Sequence, residues 1–202
     1  MKRSLLSALC STLLLAACSG SPPTRFFTVA PVAPAVAGIA SSGAPIKIAS
    51  VQVPPSMDRL ELVRQSAANE LAIDDFAHWA APLGELARNA LTQDLAARLG
   101  SPRVIYPDVP DPDGTRRLTV DILSFTYAPG SAVLDVSWSL APPKHRSGSP
   151  PDDKPATPRT VRLSAPAQDP GPKGEAAALS ALLGQLADAI AQDLGADRAE
   201  QH

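Results

Sequence analysis

The strongest order along this chain is a spacing of three and four. Leu83, Leu86, Ala87, Ala90, Leu91, Leu95 and Leu99 fall on one face of a helix predicted over residues 83–99, with Gly100 placed to end it. Glu85 near its start and Arg98 near its end suit the helix dipole, and Arg88 reads as an outward position. A second segment, residues 175–194, puts Leu179, Leu182, Leu183, Leu186, Ile190 and Leu194 on one face, with Asp188 outward and Gly195 as the stop. Between them the period changes to two. Leu118, Val120 and Ile122 alternate with Thr119 and Asp121, and Leu134, Val136, Trp138 and Leu140 answer them across Pro129-Gly130, the pattern of an antiparallel hairpin.

Shorter apolar runs add strands. Ile46, Ile48, Val51 and Val53 form one with irregular alternation before Pro54-Pro55, and Arg25 to Val29 has the aromatic and β-branched content of another. Residues 59–64 and 70–76 can pair as a hairpin about 66–69, although Ala67 and Ala68 suit a helix equally. Residues 104–106 and 160–163 supply two more strands. From 141 to 158 the apolar period vanishes, which predicts an exposed insertion, and residues 196–202 form a polar tail. The expected fold is α/β: a mixed or antiparallel sheet with two long amphipathic helices packed on one face. Its core would join Leu86, Leu91, Leu95, Leu182, Leu186 and Ile190 to Val120 and Ile122.

The start of the chain is organised differently. Lys2 and Arg3 precede an apolar run from Leu5 to Ala17, 13 residues, where spanning a bilayer takes about 20. Such a run addresses the chain rather than crossing a membrane. It ends in Leu15-Ala16-Ala17-Cys18, which resembles the lipobox of bacterial lipoproteins. That resemblance implies a signal peptide over residues 1–17, cleavage before Cys18, and acyl chains such as palmitate on that residue. Residues 18–45, rich in Ala, Pro, Ser and Gly, would then be the lipidated N-terminus and linker, and residues 46–195 the folded domain. Ser19 stands where an inner-membrane retention signal would place Asp, so the expected location is the periplasmic face of the outer membrane, held by the lipid anchor.

Composition narrows the chemistry. Without residues 1–17 the chain has 16 basic and 20 acidic groups and no block of like charge, which gives nucleic acid no cluster of cations to bind. Cys10 leaves with the signal and Cys18 carries lipid, so the domain has no thiol for a disulfide, a metal or catalysis. His78, His145 and His202 lie far apart in no metal-binding spacing, and adjacent Asp74 and Asp75 would point to opposite faces of a strand. Ser66, Ser124, Ser137 and Ser139 lack a strand-turn-helix elbow, and no glycine-rich loop is followed by Lys-Ser/Thr. The sequence therefore points away from an enzyme, a metal site and a cofactor.

A longer stretch carries a family signature. Pro54-Pro55, Asp58-Arg59, Val63-Arg64, Asn69-Glu70-Leu71, Trp79 and Pro82-Leu83, in that order, with Arg25 to Val29 before and Arg103-Val104-Ile105 after, resemble the ABC-type transport auxiliary lipoprotein family in its PqiC/YmbA branch. The insertion at 141–158 and Gln65 depart from the family pattern. The resemblance implies a non-enzymatic partner of an MCE-type intermembrane lipid transport system that supports envelope integrity. Its partners would be an MCE-domain protein spanning the periplasm and an inner-membrane transport component, and a second copy of the chain is a further candidate. Recognition is expected on residues 54–82, through Arg59, Arg64, Asn69, Glu70 and Trp79, because Trp and Arg combine apolar area with donors. The competing assignments are Trp79 as a core residue and the two arginines as solvated strand charges. A self-standing structural envelope lipoprotein and a periplasmic hydrolase are the alternative functions.

Overall fold

A computed structural model describes residues 22–34, 43–67, 69–143 and 156–199. The expected signal peptide, Cys18, most of the expected insertion and the end of the polar tail lie outside the described residues. The elements run β1 (Arg25–Phe27), β2 (Ile46–Gln52), β3 (Glu61–Ala67), β4 (Glu70–Trp79), α1 (Leu83–Leu99), a 3-10 turn (Ser101–Arg103), β5 (Val104–Ile105), β6 (Arg116–Ala128), β7 (Ser131–Ala141), β8 (Arg159–Ala165) and α2 (Pro172–Ala199).

The strands divide into two sheets. The larger has the order β5-β2-β6-β7-β8, with β2 parallel to both β5 and β6 and the last three strands antiparallel. Val120 stands opposite Trp138, and Ile122 opposite Val136, so their side chains share the face that α1 and α2 cover. Leu118, Leu134, Val136, Leu91, Leu95, Leu182 and Leu186 are all at most 1% exposed there. Burying a large apolar side chain contributes roughly 1.5–3 kcal/mol each. Leu86 of the expected core is only half-buried and packs against its edge. The smaller sheet has the order β1-β4-β3.

Two parts of the expected architecture are corrected. There is no one sheet under the helices: β1, β3 and β4 separate into a sheet of their own. Nor are the helices amphipathic in the expected sense. Between Gly174 and Ala191 only Ala177 is exposed, so α2 is enclosed on nearly every side rather than along one stripe. In α1 the buried positions include Thr92, Asp94 and Arg98 beside the leucines. The chain can bury these polar groups because each has a use. Arg98 Nε donates to Asp188 Oδ1 at 2.6 Å, and its Nη atoms donate to the carbonyls of Asp94, Gly184 and Val32. Asp188, read as outward, is thus the half-exposed end of a buried network. Arg88 is paired with Glu85 one turn earlier.

That network also holds the chain between β1 and β2. Val32 N–H donates to Asp94 Oδ1 at 2.6 Å and Ala30 N–H to Ser180 Oγ at 3.1 Å, laying residues 30–32 across both helices. Gly184 lets them approach: a Cβ there would stand 3.0 Å from Val32 Cβ. Within residues 18–45, the strand expected at Arg25 to Val29 appears as β1, and the packed body continues to Val32. At the far end of α1, Gly100 takes φ +89° and stops the helix as its position predicts.

Candidate functional site

The stretch singled out for recognition, residues 54–82, folds into the smaller sheet and the loop leading to it. Met57 and Asp58 donate their N–H groups to Pro54 O, a turn that delivers the chain to β3. The β3–β4 hairpin then forms with Val63 opposite Ile73 and Gln65 opposite Leu71. Its regularity breaks further down. Leu62 pairs with Asp74 but Glu61 with His78, so β4 carries three more residues than its partner at that point. Such a bulge bends the strand and re-aims its side chains. Beyond it β1 joins in parallel, Phe26 beside His78 and Phe27 beside Trp79.

The five expected recognition residues separate by environment. Trp79 is 3% exposed and belongs to the core, with Leu62 and Ala77 beside it on the inward side of the sheet. Arg64 is half-buried; its Nε donates to Glu175 Oε2 at 2.6 Å, and Asp74 Oδ2 lies 3.7 Å from its Nη2. This contact ties the hairpin to the first turn of α2. Burial raises the Glu175 carboxyl above its ordinary range, and the Arg64 guanidinium acts in the opposite direction. Arg59 is exposed and its Nε donates to Glu61 Oε2 at 3.0 Å. Hydrogen bonds from the backbone and from Arg59 hold the Glu61 carboxyl below the usual range. Asn69 and Glu70 are exposed at the hairpin's tip.

What the pattern of periods did not single out is the apolar character of this small sheet. Of eight large hydrophobic side chains exposed among the described residues, five are here: Phe26, Leu60, Leu71, Ile73 and Phe76. Phe26, the most open at 68%, meets His78 edge-to-face with ring centroids 5.9 Å apart. A shallow cleft of about 330 Å³ runs beside the bulge, between Arg64, Ile73, Asp74 and Phe76. On that side of the hairpin Leu71 stands opposite Gln65 and Ile73 opposite Val63, and no helix covers them. Asp74 and Asp75 sit in this bulge, Asp74 turned to Arg64. Among the described residues no three His, Cys, Asp or Glu side chains gather as a metal site would require. The arrangement places exposed apolar side chains beside paired charges.

The chain is thus a two-sheet α/β body whose smaller sheet leaves one apolar side exposed and whose N-terminal strand is built into that sheet. By sequence, the chain belongs to the family of ABC-type transport auxiliary lipoprotein components, whose family model matches residues 27–191. Two solved structures resemble it. One is an uncharacterised protein at 18% identity, with a TM-score of 0.66, covering 86% of this chain and 99% of its own. The other is a DUF330-family protein from Xanthomonas campestris at 16% identity, with a TM-score of 0.65, covering 89% of this chain and 100% of its own. At these identities the likeness speaks for the fold. No curated protein matches the chain.

Proposed function

We propose that this chain is the outer-membrane-tethered auxiliary lipoprotein of an MCE-type intermembrane lipid transport system, in the PqiC/YmbA branch of its family. The observation that carries the reading is the family match across residues 27–191 together with the Leu15-Ala16-Ala17-Cys18 lipobox ahead of it. Lipid on Cys18 holds the domain on the periplasmic face, as Ser19 favours, and two or more acyl chains give a lasting anchor. The domain does no chemistry on the cargo. It offers a rigid body on which residues 54–82 meet the end of an MCE-domain protein whose other end joins an inner-membrane transport component. Arg59, Asn69 and Glu70 are the exposed polar members of that surface. Arg64 and Trp79 contribute by fixing the hairpin's angle, since one is bound to Glu175 and the other is core.

The test is photocrosslinking in the native envelope from probes at Arg59, Asn69 and Glu70, compared with the exposed α1 position Gln93. Crosslinks to an MCE-domain protein from the first three and none from Gln93 are expected. Crosslinks from Gln93 alone overturn the assignment of the surface to residues 54–82, and none to any envelope protein overturns the function and leaves a self-standing structural lipoprotein.

A further inference from the structure

We propose that the apolar side of the three-stranded sheet, from Phe26 through Phe76 to Ile73 and Leu71, lies against the phospholipid surface to which the chain is anchored. The inference rests on lipidation at Cys18. Phe26 is eight residues beyond Cys18, a length that reaches at most about 29 Å when fully extended. Some face of the domain must therefore sit close to the bilayer, and β1 is the element nearest the anchor in chain length. Its docking is firm. β1 pairs with β4, Phe27 O accepts from Ala80 N–H at 2.8 Å, and residues 30–32 are bound across both helices. The body cannot swing away from its tether by unpeeling residues 25–32 without breaking these bonds.

The face so presented has the chemistry of an interfacial surface. Phe26 at 68%, Leu71 at 53%, Ile73 at 45% and Phe76 at 40% exposure are a cost in water and a gain at the boundary of headgroups and acyl chains. On β4, Leu71 and Ile73 lie on the side opposite Asp74, which shares the side of buried Leu62. His78, beside Phe26, is on the side opposite Trp79. Of the neighbouring charges, Arg59 is paired with Glu61 and Arg64 with Asp74 and Glu175, while the exposed Asp75 carboxylate in the bulge has to stay at the polar level of the headgroups. Arg25 belongs to the other side of β1, its guanidinium 5.5 Å from the centre of the Phe27 ring, and so leaves the apolar side free of that charge. The polar tip at Asn69 and Glu70 and the loop at Arg59 are left at the margin, where a protein partner can reach them.

The test uses the full lipidated protein in vesicles of phosphatidylethanolamine and phosphatidylglycerol, some of whose acyl chains are brominated. Single variants Phe26→Cys, Ile73→Cys and, on the larger sheet, Leu123→Cys carry an environment-sensitive fluorophore; Cys18 is blocked by its lipid. Leu123 is 53% exposed and so matches Leu71 in openness. The expected result, read on the fraction that floats with vesicles, is a blue shift and bromine-dependent loss of emission at Phe26 and Ile73, with neither at Leu123. Equal loss at all three sites, or none, overturns the proposal. A blue shift at Ile73 that grows with protein concentration and ignores bromine also overturns it, and assigns the face to a second copy of the chain. Failure to float refutes the anchor itself, and the inference with it; flotation with an unquenched label at Ile73 refutes the inference alone.

Discussion

The two sheets of this protein treat apolar side chains in opposite ways. In the five-stranded sheet, β6 and β7 turn Leu118, Val120, Leu134 and Val136 under the helices, each at most 1% exposed. In the three-stranded sheet the inward side supplies Leu62, Ala77 and Trp79 to the same core, while Leu71, Ile73 and Phe26 remain in solvent. One sheet spends its apolar surface on stability; the other keeps a share of it open. The difference separates apolar area that folding uses from apolar area that folding leaves open. Substitutions in the two regions should therefore fall in separate ranges.

The largest effect is expected where the core contains charge. Arg98 is 4% exposed and binds Asp188 together with the carbonyls of residues 32, 94 and 184. Arg98→Met leaves the buried Asp94 carboxyl without its nearest cation and removes the bond to the Val32 carbonyl, so we expect a loss of about 3–5 kcal/mol. Chemical denaturation measures it, and a loss below about 1 kcal/mol would mean that Arg98 is not the keystone of the helix pair. Leu95→Ala and Leu186→Ala, each at a position 0% exposed, should cost about 2–5 kcal/mol through lost transfer energy and a cavity. The same denaturation series tests them.

Between the two regions stands the Arg64–Glu175 contact, and its effect should be intermediate. Arg64→Ala strands a carboxylate that is 3% exposed, which costs about 1–3 kcal/mol. Acid provides an independent reading. Burial raises the carboxyls of both Asp94 and Glu175, so the folded chain holds those protons more tightly than the unfolded chain does. From about pH 4 up to their raised values, stability must fall as pH rises, then level off above them. Glu61 and Asp111 are shifted the other way by hydrogen bonds and lose their contribution only as pH falls through a lower range. Denaturation midpoints across this window should decline in the native chain and decline less in Glu175→Gln. A native profile that rises throughout would show that the ion pairs outweigh burial.

How much of this was legible depended on whether a residue's partners were near it in the chain. α1 is found over the range its leucines mark and ends at Gly100, and the β6–β7 hairpin turns at Pro129-Gly130 as two adjacent alternating segments require. The parallel neighbours of β2 and the addition of β1 to β4 join strands far apart in sequence, and no local period encodes them. That is why one sheet was expected where two exist. Asp188 was read as outward for a related reason. A charge within a helical pattern is ordinarily on the solvent side, and only the crossing of the two helices brings Asp188 and Arg98 within 2.6 Å. At the candidate site the segment was identifiable from its composition, yet Trp79 and Arg64 have structural duties that burial alone reveals. Leu71 and Ile73 were read as strand residues, and they are exposed because they lie on the side of the hairpin opposite buried Leu62.

The smallest effect on folding is expected at those same two residues, and it is the sharpest form of the comparison. Ile73 is 45% exposed opposite Val63, and Leu71 is 53% exposed opposite Gln65. Replacing either by Ser removes side-chain atoms that water already reaches, leaves no cavity, and sacrifices only part of a cross-strand contact. That contact is worth about 0.2–1 kcal/mol, so Ile73→Ser and Leu71→Ser should each shift stability by about 0.5 kcal/mol or less. The same substitutions at Leu134 or Leu118, buried on the larger sheet, would strike the core. A loss at Ile73 as large as that at Leu95 would mean that the small sheet is covered in the free protein and that the contrast between the sheets is false. If the loss is small while the vesicle-dependent blue shift at Phe26 disappears in the Ile73→Ser background, then the exposed apolar face serves contact and not folding.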